Sequence, residues 1–190
     1  EPLDGDWSRV LGKRYGDLTP SAISFNRGKR SLAVDLQAEA GLAVVRQLAQ
    51  EADGVLHNYR PGVVERFGLD YEAVRKTNPE VIYLAVTGFG SKGPYSKHPA
   101  TDAILQAFTG LMSINRDATG MPQRIGMFAV DVATGAYAFQ AVAAALYRRA
   151  VRGGGAYIDT SLAEVAALFQ GYKVIEFVTE GEAPQGAGVP

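Results

Sequence analysis

The run Val81-Ile82-Tyr83-Leu84-Ala85-Val86 constrains the fold of this chain more than any other stretch. Apart from the Tyr83 hydroxyl it offers water no polar side chain. A strand sends alternate side chains to opposite faces, so an unbroken apolar strand must be covered on both. That requires an inner strand of a largely parallel sheet with helices on both faces. The surrounding sequence supplies the other parts. Val55-Leu56-His57-Asn58 reads as a second short strand, closed by Arg60-Pro61-Gly62. Residues 156–160 read as a third, after the helix stop Gly153-Gly154-Gly155, and 31–36 alternate well enough for a fourth. Apolar residues at helical spacing fill the gaps: Leu42, Val45, Leu48 and Ala49 within 39–52, a helix over 102–112, and Ala136, Phe139, Ala143, Leu146 and Tyr147 up to about residue 149. Short helical pieces are expected at 63–67 and 71–77, and a last helix over roughly 162–178. Strands alternating with helices, without an internal linker or repeat, define an open α/β fold.

Composition removes several function classes. The chain has 190 residues, 47% hydrophobic and 21% charged, which is ordinary for a globular protein that buries a sizeable core. A formal net charge of −1 gives no electrostatic reason for nucleic acid or an anionic membrane as partner. There is no cysteine, which excludes disulfides and thiolate chemistry and fits a reducing, cytoplasmic setting. No apolar run is expected to reach the length that spans a bilayer, and no signal peptide is visible. The two histidines, His57 and His98, are not spaced as ligands, so no metal site is expected. The chain starts without Met and ends in Gly-Val-Pro, so it is expected to be a segment of a longer protein, cut at both ends.

Three motifs carry chemistry. In Met127-Phe128-Ala129-Val130-Asp131 an apolar run ends in a carboxylate directly before a helical pattern. Spacing predicts Asp131 as the N-cap of that helix, accepting from unpaired backbone N–H groups. The same carboxylate is also a candidate nucleophile facing a substrate, and spacing alone leaves both open. Gly88-Phe89-Gly90-Ser91-Lys92-Gly93 has the G-x-G-x-x-G form and follows a strand. A dinucleotide fingerprint must open straight into a helix, whereas Pro94 and Lys97-His98-Pro99 prolong the loop; a flexible ligand loop or a surface turn fits better. Asn58-Tyr59-Arg60-Pro61-Gly62 lies at a strand end, where open α/β sheets bind ligands. There Asn58 offers hydrogen bonds, Tyr59 a stacking face, and Arg66 a partner for phosphate. Lys29 and Arg30 are either phosphate contacts or an ordinary basic turn. No serine sits in G-x-S-x-G, which argues against a hydrolase elbow.

The ordered set Asn26-x-x-Lys29-Arg30-Ser31, Asn58-Tyr59-Arg60-Pro61-Gly62, Gly88-Phe89-Gly90-x-x-Gly93-Pro94-Tyr95, Ala100-Thr101-Asp102, Asp131-x-x-Thr134-Gly135 and 153–159 resembles the class III CoA-transferases. That family includes formyl-CoA transferase, the carnitine CoA-transferases and the α-methylacyl-CoA racemases. The resemblance covers almost the whole chain. It implies an open Rossmann-like sheet forming the inner part of a large CoA-binding domain, in a homodimer whose two full-length chains interlock. It places the catalytic aspartate at Asp131 and a second carboxylate near the thioester at Asp102. Contacts to coenzyme A fall on Val34, Gln37, Asn58, Tyr59 and Arg66, with Thr101 beside Asp102. The family's glycine loop falls near Gly186 or Gly188.

The chemistry this implies is an exchange of CoA between an acyl-CoA and a free carboxylic acid, through mixed anhydrides and an aspartyl-CoA thioester. The closest alternative is an acyl-CoA α-carbon racemase of the same family. That branch carries a histidine where this chain has Thr101. More distant alternatives are a non-catalytic CoA-binding module and an NAD-dependent oxidoreductase resting on Gly88–Gly93.

Overall fold

The computed structural model describes residues 1–182, so Gly186 and Gly188 lie outside the described residues. The chain divides into two compact units, Glu1–Gln50 and the remainder from Glu51.

In the first unit a 3-10 turn, Trp7–Arg9, precedes α1, Pro20–Phe25. Thr19 caps α1 by accepting from the Ala22 N–H at 3.1 Å, and its hydroxyl donates to the Ser8 carbonyl. The strand expected over 31–36 does not form. A strand needs a ladder, and among the described residues this stretch has two such backbone bonds, from the Val34 N–H to the Glu1 carbonyl at 3.0 Å and from the Glu1 amino group to the Leu32 carbonyl at 2.8 Å. The chain instead turns at Asp35, whose carboxylate accepts from the Gln37 N–H at 2.8 Å, and enters α2, Glu39–Glu51.

The second unit is built on three parallel strands in the order β1 (Gly54–His57), β2 (Ile82–Thr87) and β3 (Ala156–Ser161). Leu56, Leu84 and Ile158 share one register row. The apolar run is the central strand, as its sequence requires. Ile82, Tyr83 and Leu84 are all buried, so both faces are covered. Between β1 and β2 lie two short helices, α3 (Val63–Arg66) and α4 (Tyr71–Val74). Tyr71 on α4 lays its ring 5.8 Å from Tyr83 and 5.3 Å from Tyr157. The Tyr83 hydroxyl donates to the Leu69 carbonyl at 2.6 Å, which satisfies its one polar atom.

Between β2 and β3 the chain forms α5 (Asp102–Phe108), α6 (Leu111–Ile114) and α7 (Ala129–Arg152). The single helix expected over 102–112 breaks because Gly110 takes φ +84°, a conformation other residues rarely adopt. After β3 come α8 (Leu162–Phe169), closed at its start by a Ser161–Glu164 capping box, and α9 (Gly171–Glu180). The one long helix expected there divides at Gln170, whose buried amide turns inward to donate to the Thr109 carbonyl at 2.7 Å.

Helix α7 runs against β2 and β3 along a stripe of small buried residues, Thr134, Ala138 and Ala145. At its last turn Arg149 donates to the carbonyls of Asp53 at 3.1 Å and Glu80 at 3.0 Å and pairs with the Asp53 carboxylate at 2.6 Å. The expectation about apolar runs is corrected here: by length and composition α7 is long enough and apolar enough to cross a membrane. It starts two residues before Asp131 and runs on to Arg152, past the end of its apolar stripe, and its alanines suit a sheet-packed helix equally well.

One close approach sets where residues 100–102 sit. A Cβ built on Gly88 would lie 2.2 Å from the Ala100 Cβ, so only glycine lets residues 100–102 dock on the strand end. The Gly88 carbonyl also accepts from the Ala163 N–H at 3.0 Å. Gly88→Ala is therefore expected to destabilise the fold by about 1–3 kcal/mol, the usual cost of overpacking, measured by denaturant unfolding. Wild-type stability in that variant would show that the contact is soft.

Candidate active site

In the second unit Asn58 and Tyr59 follow the end of β1 at His57, and residues 100–102 dock at Gly88, just past the end of β2. After β2 the Thr87 side chain accepts from the Gly90 N–H at 2.9 Å and turns the glycine segment. That segment is not a loose flap. Phe89 and Tyr95 pack on Phe108 of α5, with centroids at 5.0 and 4.9 Å, and His98 packs in turn on Phe89 and Tyr95. Turns continue to residue 98 and α5 begins only at Asp102, so no helix opens at Gly93 to receive a pyrophosphate. The dinucleotide reading fails on that geometry.

Thr101 caps α5, accepting from the Ile104 N–H at 3.4 Å. Asp102 follows as the first residue of the helix and is buried, at 6% exposure. Its carboxylate reaches across to α7. One oxygen accepts from the backbone N–H groups of Val130 at 2.8 Å and Asp131 at 3.1 Å, and the other accepts from the Gln106 amide one turn along α5. Asp102 thus does for α7 what an N-cap side chain does, from a different helix.

This corrects the reading of Asp131. Helix α7 begins at Ala129 with Phe128 at the cap position, so Asp131 stands in the third helical position and caps nothing. Among the described residues its carboxylate accepts no hydrogen bond. Although Asp131 is exposed at the surface, the protein atoms around its carboxyl displace enough water to raise it above the usual range, and the neighbouring Asp102 adds to the rise. An ionised carboxylate held in this way is more basic than an ordinary one and lacks the hydrogen bonds that quench a nucleophile.

The two units hold the remaining candidates separately. In the first, Val34 is partly buried against Gly41, where a Cβ would meet the Val34 side chain at 2.8 Å, while Gln37 is exposed. In the second, Asn58 and Tyr59 are exposed just past β1, and the Tyr59 N–H donates to His57 Nδ1 at 3.2 Å. Burial lowers the His57 pKa against a smaller opposing effect of Glu65, which suits an imidazole accepting that bond in its neutral form. Arg66 ends α3, exposed and without an ion pair among the described residues, so its guanidinium is available to an anion. Gly88 belongs to a motif, but its role comes from its contact with Ala100, and one residue of the site, Gln106, escapes a reading by motif. Gln106 sits one helical turn after Asp102 on the buried face of α5, and a polar side chain in that apolar phase was the signal.

The second unit thus combines an open parallel α/β sheet with two carboxylates meeting at a helix N-terminus. Residues 1–190 match the model of CoA-transferase family III, and the chain belongs to that family. It is 36% identical over 188 residues to acetyl-CoA:oxalate CoA-transferase of Acetobacter aceti, covering 98% of this chain and 48% of that protein. It is 38% identical over 190 residues to succinate–glutarate CoA-transferase of Agrobacterium fabrum, covering 96% and 48%. Among solved structures it resembles a CAIB/BAIF family protein from Brucella suis, with a TM-score of 0.93 and 33% identity, covering 99% of this chain and 51% of that one. The chain therefore spans about half the length of the relatives it matches.

The raised Asp131 carboxyl gives a stability test. A carboxyl whose folded pKa lies above its unfolded value adds stability only in acid, below the ordinary Asp range, and loses it as pH rises through the folded pKa. At neutral pH the ionised side chain then lowers stability. Asp131→Asn is expected to melt at or above the wild-type temperature at pH 7, with the difference closing in acid. Asp102→Ala, which uncaps α7, is expected to lose about 2 kcal/mol. A large loss in Asp131→Asn would return Asp131 to a capping role.

Proposed function

We propose that the full-length protein carrying this chain is a CoA-transferase that moves CoA from an acyl-CoA to a free carboxylic acid, with Asp131 as the nucleophile. The observation that carries this reading is the unpaired Asp131 carboxylate, set beside a buried Asp102 that has taken over the structural work of the helix end.

The steps follow from a carboxylate nucleophile. Asp131 attacks the donor thioester carbonyl and expels CoA thiolate, giving a mixed anhydride between Asp131 and the donor acid. The thiolate attacks the aspartyl carbonyl and releases the donor carboxylate, leaving an aspartyl-CoA thioester. The acceptor carboxylate attacks that thioester, forming a second anhydride and freeing the thiolate. The thiolate then takes the acceptor acyl group and restores the Asp131 carboxylate. One exchange between poor nucleophiles becomes several easier ones, with no net proton moved. Asn58, Tyr59 and Arg66, with Val34, Gln37 and Thr101, are the proposed contacts to coenzyme A. The acids named in the relatives, oxalate and glutarate, are dicarboxylates, so the acceptor is sought first among these. A homodimer is supported by large apolar side chains that this chain leaves exposed on α7 and α9, including Phe139, Tyr147, Ile175 and Val178.

The racemase reading finds less support. Removing and returning an α-proton needs paired groups of suitable pKa. Thr101 has only a hydroxyl, used as a cap, and His98 packs between Tyr95 and Phe89 at centroid distances of 5.5 and 6.5 Å.

The test uses full-length protein, acyl-CoA donors and dicarboxylate acceptors in D₂O, read by mass spectrometry. Acceptor-dependent formation of the new acyl-CoA, lost in Asp131→Asn and without deuterium at the α-carbon, is expected. Turnover in Asp131→Asn, or deuterium entering without an acceptor, would overturn the reading.

A further inference from the structure

Gln106 is buried to 1% exposure, and both ends of its amide are committed. Nε2 donates to the Asp102 carboxylate and leans toward the Met127 carbonyl at 3.4 Å, while Oε1 accepts from the Ile125 N–H at 2.8 Å. Only one orientation of the amide satisfies this set, since a flip would turn its oxygen toward a carboxylate and a carbonyl. Gln106 therefore ties two things that meet at Asp131. One is the carboxylate that accepts from the Val130 and Asp131 N–H groups. The other is the strap of residues 125–127, which leads directly into α7. Around these bonds Leu105, Leu111, Val130 and Ala166 form a dry core, in which a polar amide is costly unless fully paired.

We infer that Gln106 is a positioning residue for the transfer reaction. By holding Asp102 and the strap together, its amide fixes the first turn of α7 and so the place of the Asp131 carboxylate against the thioester. This role rests on Asp131 being the nucleophile. It needs no contact between Gln106 and substrate, and it explains why a side chain with both donor and acceptor stands where the helix pattern calls for an apolar one. A displacement of about 1 Å at a reacting group can reduce rate about 100-fold, so the effect should fall on kcat. The acyl-CoA KM should move little, because Asn58, Tyr59 and Arg66 are carried by a different strand and helix.

The distinguishing test is Gln106→Glu in the full-length enzyme, followed as the ratio of its kcat to wild type across pH. Protonated, the introduced acid still donates to Asp102 and accepts from Ile125. Ionised, it sets a second carboxylate against Asp102. The titratable neighbours are few: Asp102 on α5 and Asp131 on α7, while residues 125–128 and α6 carry none and Glu164 of α8 is bound to its own cap at Ser161. The ratio is expected to fall about 100-fold at alkaline pH and to recover as pH is lowered. Gln106→Met, of similar volume but unable to make these bonds, is expected to lose kcat by about 10- to 100-fold at every pH, and it serves if the glutamate variant does not fold. A wild-type kcat in the Met variant, a pH-independent ratio in the Glu variant, or a loss confined to KM would overturn the role. Asp131→Asn is measured alongside: activity there brings down the nucleophile, whereas an inactive Asp131→Asn with unaffected Gln106 variants brings down only the positioning role.

Discussion

The second unit depends on the Asp102 carboxylate, buried between α5 and the first turn of α7. A helix leaves its first N–H groups without partners, and in a dry interior they must be satisfied. Here a neighbouring helix satisfies two of them, with Gln106 supporting the same carboxylate from behind. The far end of α7 is pinned to the sheet by Arg149 through Asp53 and Glu80. A long helix with few large side chains on its buried stripe is thus held at both ends by polar contacts, and its first turn has little freedom.

That arrangement separates structure from chemistry. Because Asp102 caps α7, Asp131 is not needed for the helix and stands unpaired in a partly desolvated position that raises its pKa. Leaving a charge there costs stability, as is usual where a fold keeps a reactive group ready. Under the proposed function this cost has a purpose, because a carboxylate left without hydrogen bonds is available as the nucleophile.

Much of the fold was legible in the sequence because its strongest signals are local. The apolar run of β2 required cover on both faces, and the glycines and prolines at strand ends marked the turns that lead into the site. What was missed depended on partners distant in sequence. The stretch 31–36 has strand-like alternation but finds no ladder. Asp131 has the spacing of an N-cap, yet α7 starts at Ala129 because its cap comes from Asp102, 28 positions upstream of Val130. Loop 88–99 is rich in glycine and reads as flexible, but Phe89 and Tyr95 are gathered on Phe108 with His98 packed on both, a clustering that pattern alone does not reveal. Family motifs led to Asp102 and Asp131 together, while the division of labour between them required the geometry.

The account turns on Asp131 carrying the CoA group. Full-length protein is incubated with an acyl-CoA donor in the absence of acceptor, quenched in acid and digested, and the peptide containing Asp131 is weighed. A mass increase for CoA joined as a thioester with loss of water, located on Asp131 and removed by adding the acceptor acid, is the result this account predicts. Turnover with no adduct on that peptide, or an adduct located on another carboxylate, would contradict it.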